Sequence, residues 1–195
     1  MAAGKCYCQA GKWEEARAAL APLAPAGKPE SAEGAYWLAR SLLKLKRPQE
    51  ALTVAEPALQ ANAQSPFAPY LELARIDALY DLPERRKEAQ PLYEAFARAR
   101  PDHPLAAEAL YMAALTALAR EDFAAARVHA DAFLTNAKWA GHELAPAALY
   151  VAAEARVLGG GESPAAADLA KAEQLYRQLL AADPKHARAS HANLR

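Results

Sequence analysis

Apolar residues return at intervals of three and four over most of this chain, the spacing that places side chains on one stripe of a helix. Tyr36, Leu38 and Leu42 show it clearly. No stretch alternates apolar and polar residues with β-branched enrichment, so strands are not expected. A second, longer rhythm is carried by small residues. Ala16, Ala51, Ala89, Ala126 and Ala172 are separated by 35, 38, 37 and 46 positions. Each is preceded by a small partner, in order Gly4, Ala39, Ala74, Ala114 and Ala152. Small against small lets two helices approach closely, so the pattern predicts five helix hairpins. One hairpin cannot bury its apolar face alone, and neighbours must therefore stack.

The segment Gly4–Leu23 carries the pattern most fully. Gly4, Tyr7, Gly11, Trp13, Ala16 and Leu20 follow in order, with a turn at Gln9-Ala10-Gly11-Lys12. This order resembles one tetratricopeptide repeat, a helix–turn–helix unit of about 34 residues. The Pro slot of that pattern falls on Lys28, with Pro29 one residue late. The resemblance implies an all-α fold, a right-handed superhelical α-solenoid of stacked hairpins with a concave groove. Its repeats are expected at 1–30, 31–65, 66–103, 104–142 and 143–184, with a partial sixth at 185–195. Both ends then fall inside repeat helices. The chain is accordingly expected to be a fragment of a longer array, with any signal or anchor upstream of it.

Local signals refine this reading. Pro48 should start a second helix, and Pro57 inside it should kink it, as should Pro22 at the same repeat position. Ser65-Pro66 reads as an N-cap and first-turn proline. The turn Asp81–Arg86 is about three residues longer than the standard one. Glu121-Asp122-Phe123 opens a second helix, and the linker Asn136–Glu143 is long and carries Trp139. Gly159-Gly160-Gly161 should end a helix near Leu144–Leu158, with Ser163 capping the next and Pro164 in its first turn. Two joints, Ser65-Pro66-Phe67-Ala68-Pro69 and Pro101-Asp102-His103-Pro104-Leu105-Ala106, look like those of bacterial envelope repeat proteins. These are the outer-membrane assembly lipoproteins and the Tol-Pal coordinator of cell division. This likeness favours a bacterial cell envelope or periplasm over the cytoplasm.

Charge and composition remove whole classes of function. Lys plus Arg and Asp plus Glu are 23 each, so the basic excess of a nucleic-acid binder is missing. No apolar run reaches the roughly 18 residues of a membrane span. Cys6 and Cys8, two apart on a helix, point about 200° from each other and cannot share a metal ion. His142-Glu143 begins like a zinc-protease helix, but Pro146 stands where the second His is required. His103 and His186 sit at joints between repeats and are read as capping the turn; His186 and His191 are off a common face. Gly159–Gly161 lacks the preceding strand and the following Lys-Ser/Thr of a phosphate loop. Glu14-Glu15 and Arg85-Arg86-Lys87 read as solvated faces near helix starts; the acidic pair suits the helix dipole and the basic triplet opposes it, which leaves a contact with something else as the alternative. No nucleophile motif is present, so neither an enzyme nor a cofactor is expected.

The remaining reading is a non-catalytic scaffold or adaptor that binds a protein or peptide in the groove. The alternative is a regulatory arm of a larger enzyme or transcription regulator whose catalytic or DNA-binding part lies outside this chain. Carrying the resemblance over, the groove wall in the first repeats is Lys5, Tyr36, Arg40, Leu71 and Arg75. In the later ones it is Tyr111, Leu115, Leu149 and Arg156. Cations come first and apolar residues follow, which fits a partner with acidic residues, the alternative being that these cations solvate an unused surface and pair with neighbouring acids such as Glu72; Lys5 and Arg40 replace the Asn of the carboxylate-clamp type. Exposed apolar surface at the N-terminal helix also predicts self-association.

Overall fold

The computed structural model describes residues 1–24, 31–161 and 163–184. Among them are ten α-helices and no strand. Residues Lys28 and Pro29, and the partial repeat at 185–195 with His186 and His191, lie outside the described residues. The chain divides into two compact units, Met1–Leu92 and Tyr93–Arg195.

The first unit contains α1 (Ala2–Gln9), α2 (Trp13–Leu20), α3 (Ser31–Lys44), α4 (Pro48–Ala61), α5 (Ala68–Asp81) and the start of α6 (Arg86–Ala99). Helices α1, α3 and α5 lie side by side, with α2 against α1 and α3 and α4 against α3 and α5. The second unit holds the end of α6, then α7 (Ala106–Ala119), α8 (Phe123–Thr135), α9 (Ala145–Gly159) and α10 (Ala166–Ala182). There α8 packs on α7 and α9, and α10 on α9.

The anchor alanines lie at the helix contacts. Ala16, Ala51, Ala89 and Ala126 are 0% exposed and Ala172 is 2%. Their partners Ala39, Ala114 and Ala152 are also 0% exposed. Gly4 is overlaid by Leu20, so a methyl group there would collide with it. The large core side chains, Tyr93, Phe96 and Phe133 among them, fill the space the small residues leave.

Four of the hairpin turns share one device. Gly11, Lys46, Glu121 and Gly161 all have φ near +60°, at +69°, 59°, 62° and +59°. At the first three, the next amide reaches back to close the helix end: Lys12 to the Tyr7 carbonyl, Arg47 to Leu42, Asp122 to Ala117. The longer α5–α6 turn uses another solution, with Leu82 extended. Asp122 caps α8, its carboxylate accepting from the Ala125 amide at 3.1 Å.

Three local expectations are corrected. Pro22 lies in a 3-10 turn, Ala21–Leu23, that ends α2, whereas Pro57 sits inside α4; equivalent prolines thus do different work. Helix α5 starts at Ala68, so Ser65 accepts ahead of the helix and Pro69, not Pro66, occupies its first turn. Helix α10 starts at Ala166 without a side-chain cap, which places Ser163 and Pro164 before it. Before α5, a turn of backbone hydrogen bonds from Ser65 to Asn62 and from Ala68 to Ser65 delays the helix start past the Ser-Pro pair.

Candidate functional site

In the first unit, α3 and the start of α5 assemble an aromatic cluster beside a cation. Tyr36 lies 5.0 Å from Trp37, 6.2 Å from Phe67 and 5.3 Å from Tyr70, measured between ring centres. Phe67 and Tyr70 are 5.7 Å apart. Helical spacing brings Arg40 one turn beyond Tyr36, and its guanidinium donates to the Tyr36 hydroxyl at 2.8 Å. The same guanidinium lies 5.9 Å from the Trp37 ring centre. Arg40 is exposed, whereas Tyr36 is 7% exposed. The guanidinium is thus set against an aromatic surface made by Tyr36 and Trp37.

The other residues named for this half divide. Lys5 is half-buried and forms an ion pair with Glu33 in the first turn of α3. Arg75 is half-buried, and its Nε is buried without a hydrogen-bond partner. Leu71 is 0% exposed and is a packing residue. Trp37, Phe67 and Tyr70 were missed by the repeat register, although an aromatic pair three residues apart at a helix start was visible in the sequence. Trp37 also buries its Nε1 without a partner.

In the second unit, Tyr111 and Leu115 are half-buried on α7 and pack on the core there. Leu149 is 8% exposed and belongs to that core. Arg156 is internal as well, with 8% of its side chain exposed. It donates to the Ala152 carbonyl at 2.8 Å and to Asp131 of α8 at 2.6 Å. Close by, the buried Glu154 accepts from the Tyr176 hydroxyl. These are bonds that tie α9 to α8 and α10.

The remaining candidates resolve into structural parts. Cys6 is exposed while Cys8 is buried against Ser41 Oγ at 3.3 Å, so the two thiols face different surroundings. His103 Nδ1 accepts from the Leu105 amide and His142 Nδ1 from the Leu144 amide, each at 3.2 Å. Arg85 is paired with Glu88 at 2.9 Å, and Arg86 donates to the Tyr80 carbonyl at 2.8 Å. The hydrogen bond and the ion pair hold the Glu88 carboxyl below the usual carboxylate range. On the opposite layer of the first unit, α2 and α4 leave an apolar cleft of about 250 Å³ floored by Leu38 and Leu42. Among the described residues no grouping of His, Cys, Asp and Glu could hold a metal ion, and no helix is long and apolar enough to cross a membrane.

Stacked antiparallel hairpins with small residues at their contacts and left-handed turn residues between them define a TPR-like helical-repeat fold. Residues 1–69 match the tetratricopeptide repeat family. No curated protein sequence matches the chain. Among solved structures, it is similar to a putative kinesin light chain of Podosopora anserina with nearly identical TPR-like repeats. The two are 20% identical, with a TM-score of 0.69 over 95% of this chain and 93% of that one. It is also similar to a thermophilic TPR protein of Thermus thermophilus, at 19% identity and a TM-score of 0.64 over 98% and 96% of the two chains. At these identities the likeness is one of fold.

Proposed function

We propose that this chain is a non-catalytic scaffold that holds an extended protein segment bearing acidic residues, with Arg40 as the principal contact. Proteins of this fold are in general protein-interaction scaffolds. The observation that carries the finer reading is the exposed Arg40 guanidinium, held by the Tyr36 hydroxyl and set against the Trp37 ring. Arg and aromatic side chains supply most of the energy of protein interfaces, and a preformed arrangement loses little entropy on binding. Arg75, half-buried at the equivalent position of α5, serves as a second contact. Lys5 contributes less, because Glu33 already answers its charge.

The test is selection from a displayed library of acidic peptides, followed by titration of the recovered peptide against Arg40→Ala and Arg75→Ala. Affinity is expected to fall at least tenfold for Arg40→Ala. Unchanged affinity for both variants overturns the reading.

A further inference from the structure

Three joints between successive hairpins are built on one plan. They lie between α4 and α5, between α6 and α7, and between α8 and α9. In each, a leading residue donates its amide backwards: Ser65 to the Asn62 carbonyl at 2.9 Å, His103 to Arg100 at 3.1 Å, His142 to Trp139 at 3.0 Å. Its own carbonyl accepts from the amide three residues on, at Ala68, Ala106 and Ala145, each at 2.9 Å. Its side chain accepts from the amide two residues on. Those bonds are Phe67 to Ser65 Oγ at 3.1 Å, Leu105 to His103 Nδ1 at 3.2 Å and Leu144 to His142 Nδ1 at 3.2 Å.

The plan is shared, but the acceptor differs. A serine oxygen accepts at any pH. An imidazole Nδ1 accepts only when the ring is neutral and its proton sits on Nε2. Both histidine rings are also held edge-on to a phenylalanine of the preceding helix. His103 lies 5.9 Å from Phe96 at 88°, and His142 lies 5.7 Å from Phe133 at 86°. Protonation would turn each Nδ1 into a donor facing a donor. It would also put a cation at the positive end of α7 or α9.

We propose that His103 and His142 make the unit Tyr93–Arg195 acid-sensitive, its two joints loosening between about pH 7 and 5 while the Ser65 joint of the other unit stays closed. The charged surroundings of His103 include Arg100 of α6 and the adjacent Asp102, which is paired with Lys138 from the turn Ala137–Trp139. The charged residues nearest His142 along the chain are Lys138 and Glu143. Burial first, and then the Arg100 guanidinium, hold His103 below the ordinary imidazole range. With the folded value depressed, the unfolded chain takes the proton first. Stability is therefore complete above the ordinary value of about 6.5 and declines as pH falls through it. The decline levels off below the folded value. His129 of the same unit faces Glu94 at 3.1 Å.

The experiment is thermal unfolding of the full chain from about pH 7.5 to 5, with imidazole nitrogen NMR on the same samples. The Tm of the wild type is expected to fall by several degrees, and His103→Ser with His142→Ser to abolish at least half of that fall. The NMR spectra should show both rings neutral with the proton on Nε2 at the upper pH. A double variant that keeps the whole fall, or rings carrying their proton on Nδ1, overturns the proposal. Should the double variant not fold, Ser65→His supplies the converse: a third imidazole joint should steepen the fall, and an unchanged profile overturns the proposal.

Discussion

Leu20 lies over Gly4 so closely that a β-carbon on the glycine would sit 2.5 Å from Leu20 Cδ2 and 2.6 Å from its Cγ. Leu20 is 0% exposed, so it has little room to swing away. This one contact sets how near α1 comes to α2. Gly4→Val should therefore overpack the first hairpin and destabilise the first unit by about 1–3 kcal/mol. Urea unfolding followed by circular dichroism measures it; a neutral result would mean that the two helices separate without loss.

The turn residues predict a gain. Lys46 and Glu121 hold φ of 59° and 62°, a conformation that costs a residue with a β-carbon about 1–2 kcal/mol. Gly11 and Gly161 occupy the same conformation without that cost. Lys46→Gly and Glu121→Gly should each stabilise the fold by about 0.5–1 kcal/mol, the relief being partly offset by the freer unfolded chain. A lower Tm in both variants would contradict this.

Asp131→Ala would leave the Arg156 guanidinium, 8% exposed, with the Ala152 carbonyl but without its carboxylate. Asp131 is 39% exposed, which lowers the cost below that of a fully buried pair. The expected loss is about 1–3 kcal/mol, and adding Arg156→Met should recover part of it. A double-mutant cycle with no coupling between the two positions would show that the pair does not hold α9 to α8.

Salt should weaken binding of an acidic peptide through Arg40, because the guanidinium is exposed and open to screening. Raising ionic strength from about 0.05 to 0.5 M should lower affinity several-fold in the wild type and much less in Arg40→Ala. Equal salt dependence in the two proteins would place the electrostatic contact elsewhere.

Much of the fold was legible along the chain. Periodicity at three and four gave helices, and the small residues from Ala16 to Ala172 marked where each hairpin closes. These features are local, because a helix stripe and a glycine turn are properties of neighbouring residues. The candidate site was only partly legible. Register put Arg40 and Arg75 at one repeat position and Tyr36 one turn before Arg40. It also named Leu71, Leu149 and Arg156 as groove residues, and all three are buried.

Tertiary structure decided that division. In α5 and α9, apolar and small residues occupy nearly every face, so sequence spacing cannot tell which face a neighbouring helix covers. Packing assigns Leu71 to the interior and turns Arg156 onto Asp131, 25 residues away. It likewise brings Phe67, just before α5, and Tyr70 of α5 against Tyr36 of α3, a cluster that no repeat pattern specifies. The sequence by itself determined the helices, their turns and the small residues that let them meet. Which cation stays exposed and which becomes a strut depends on neighbours distant in the chain, and only their packing settles that.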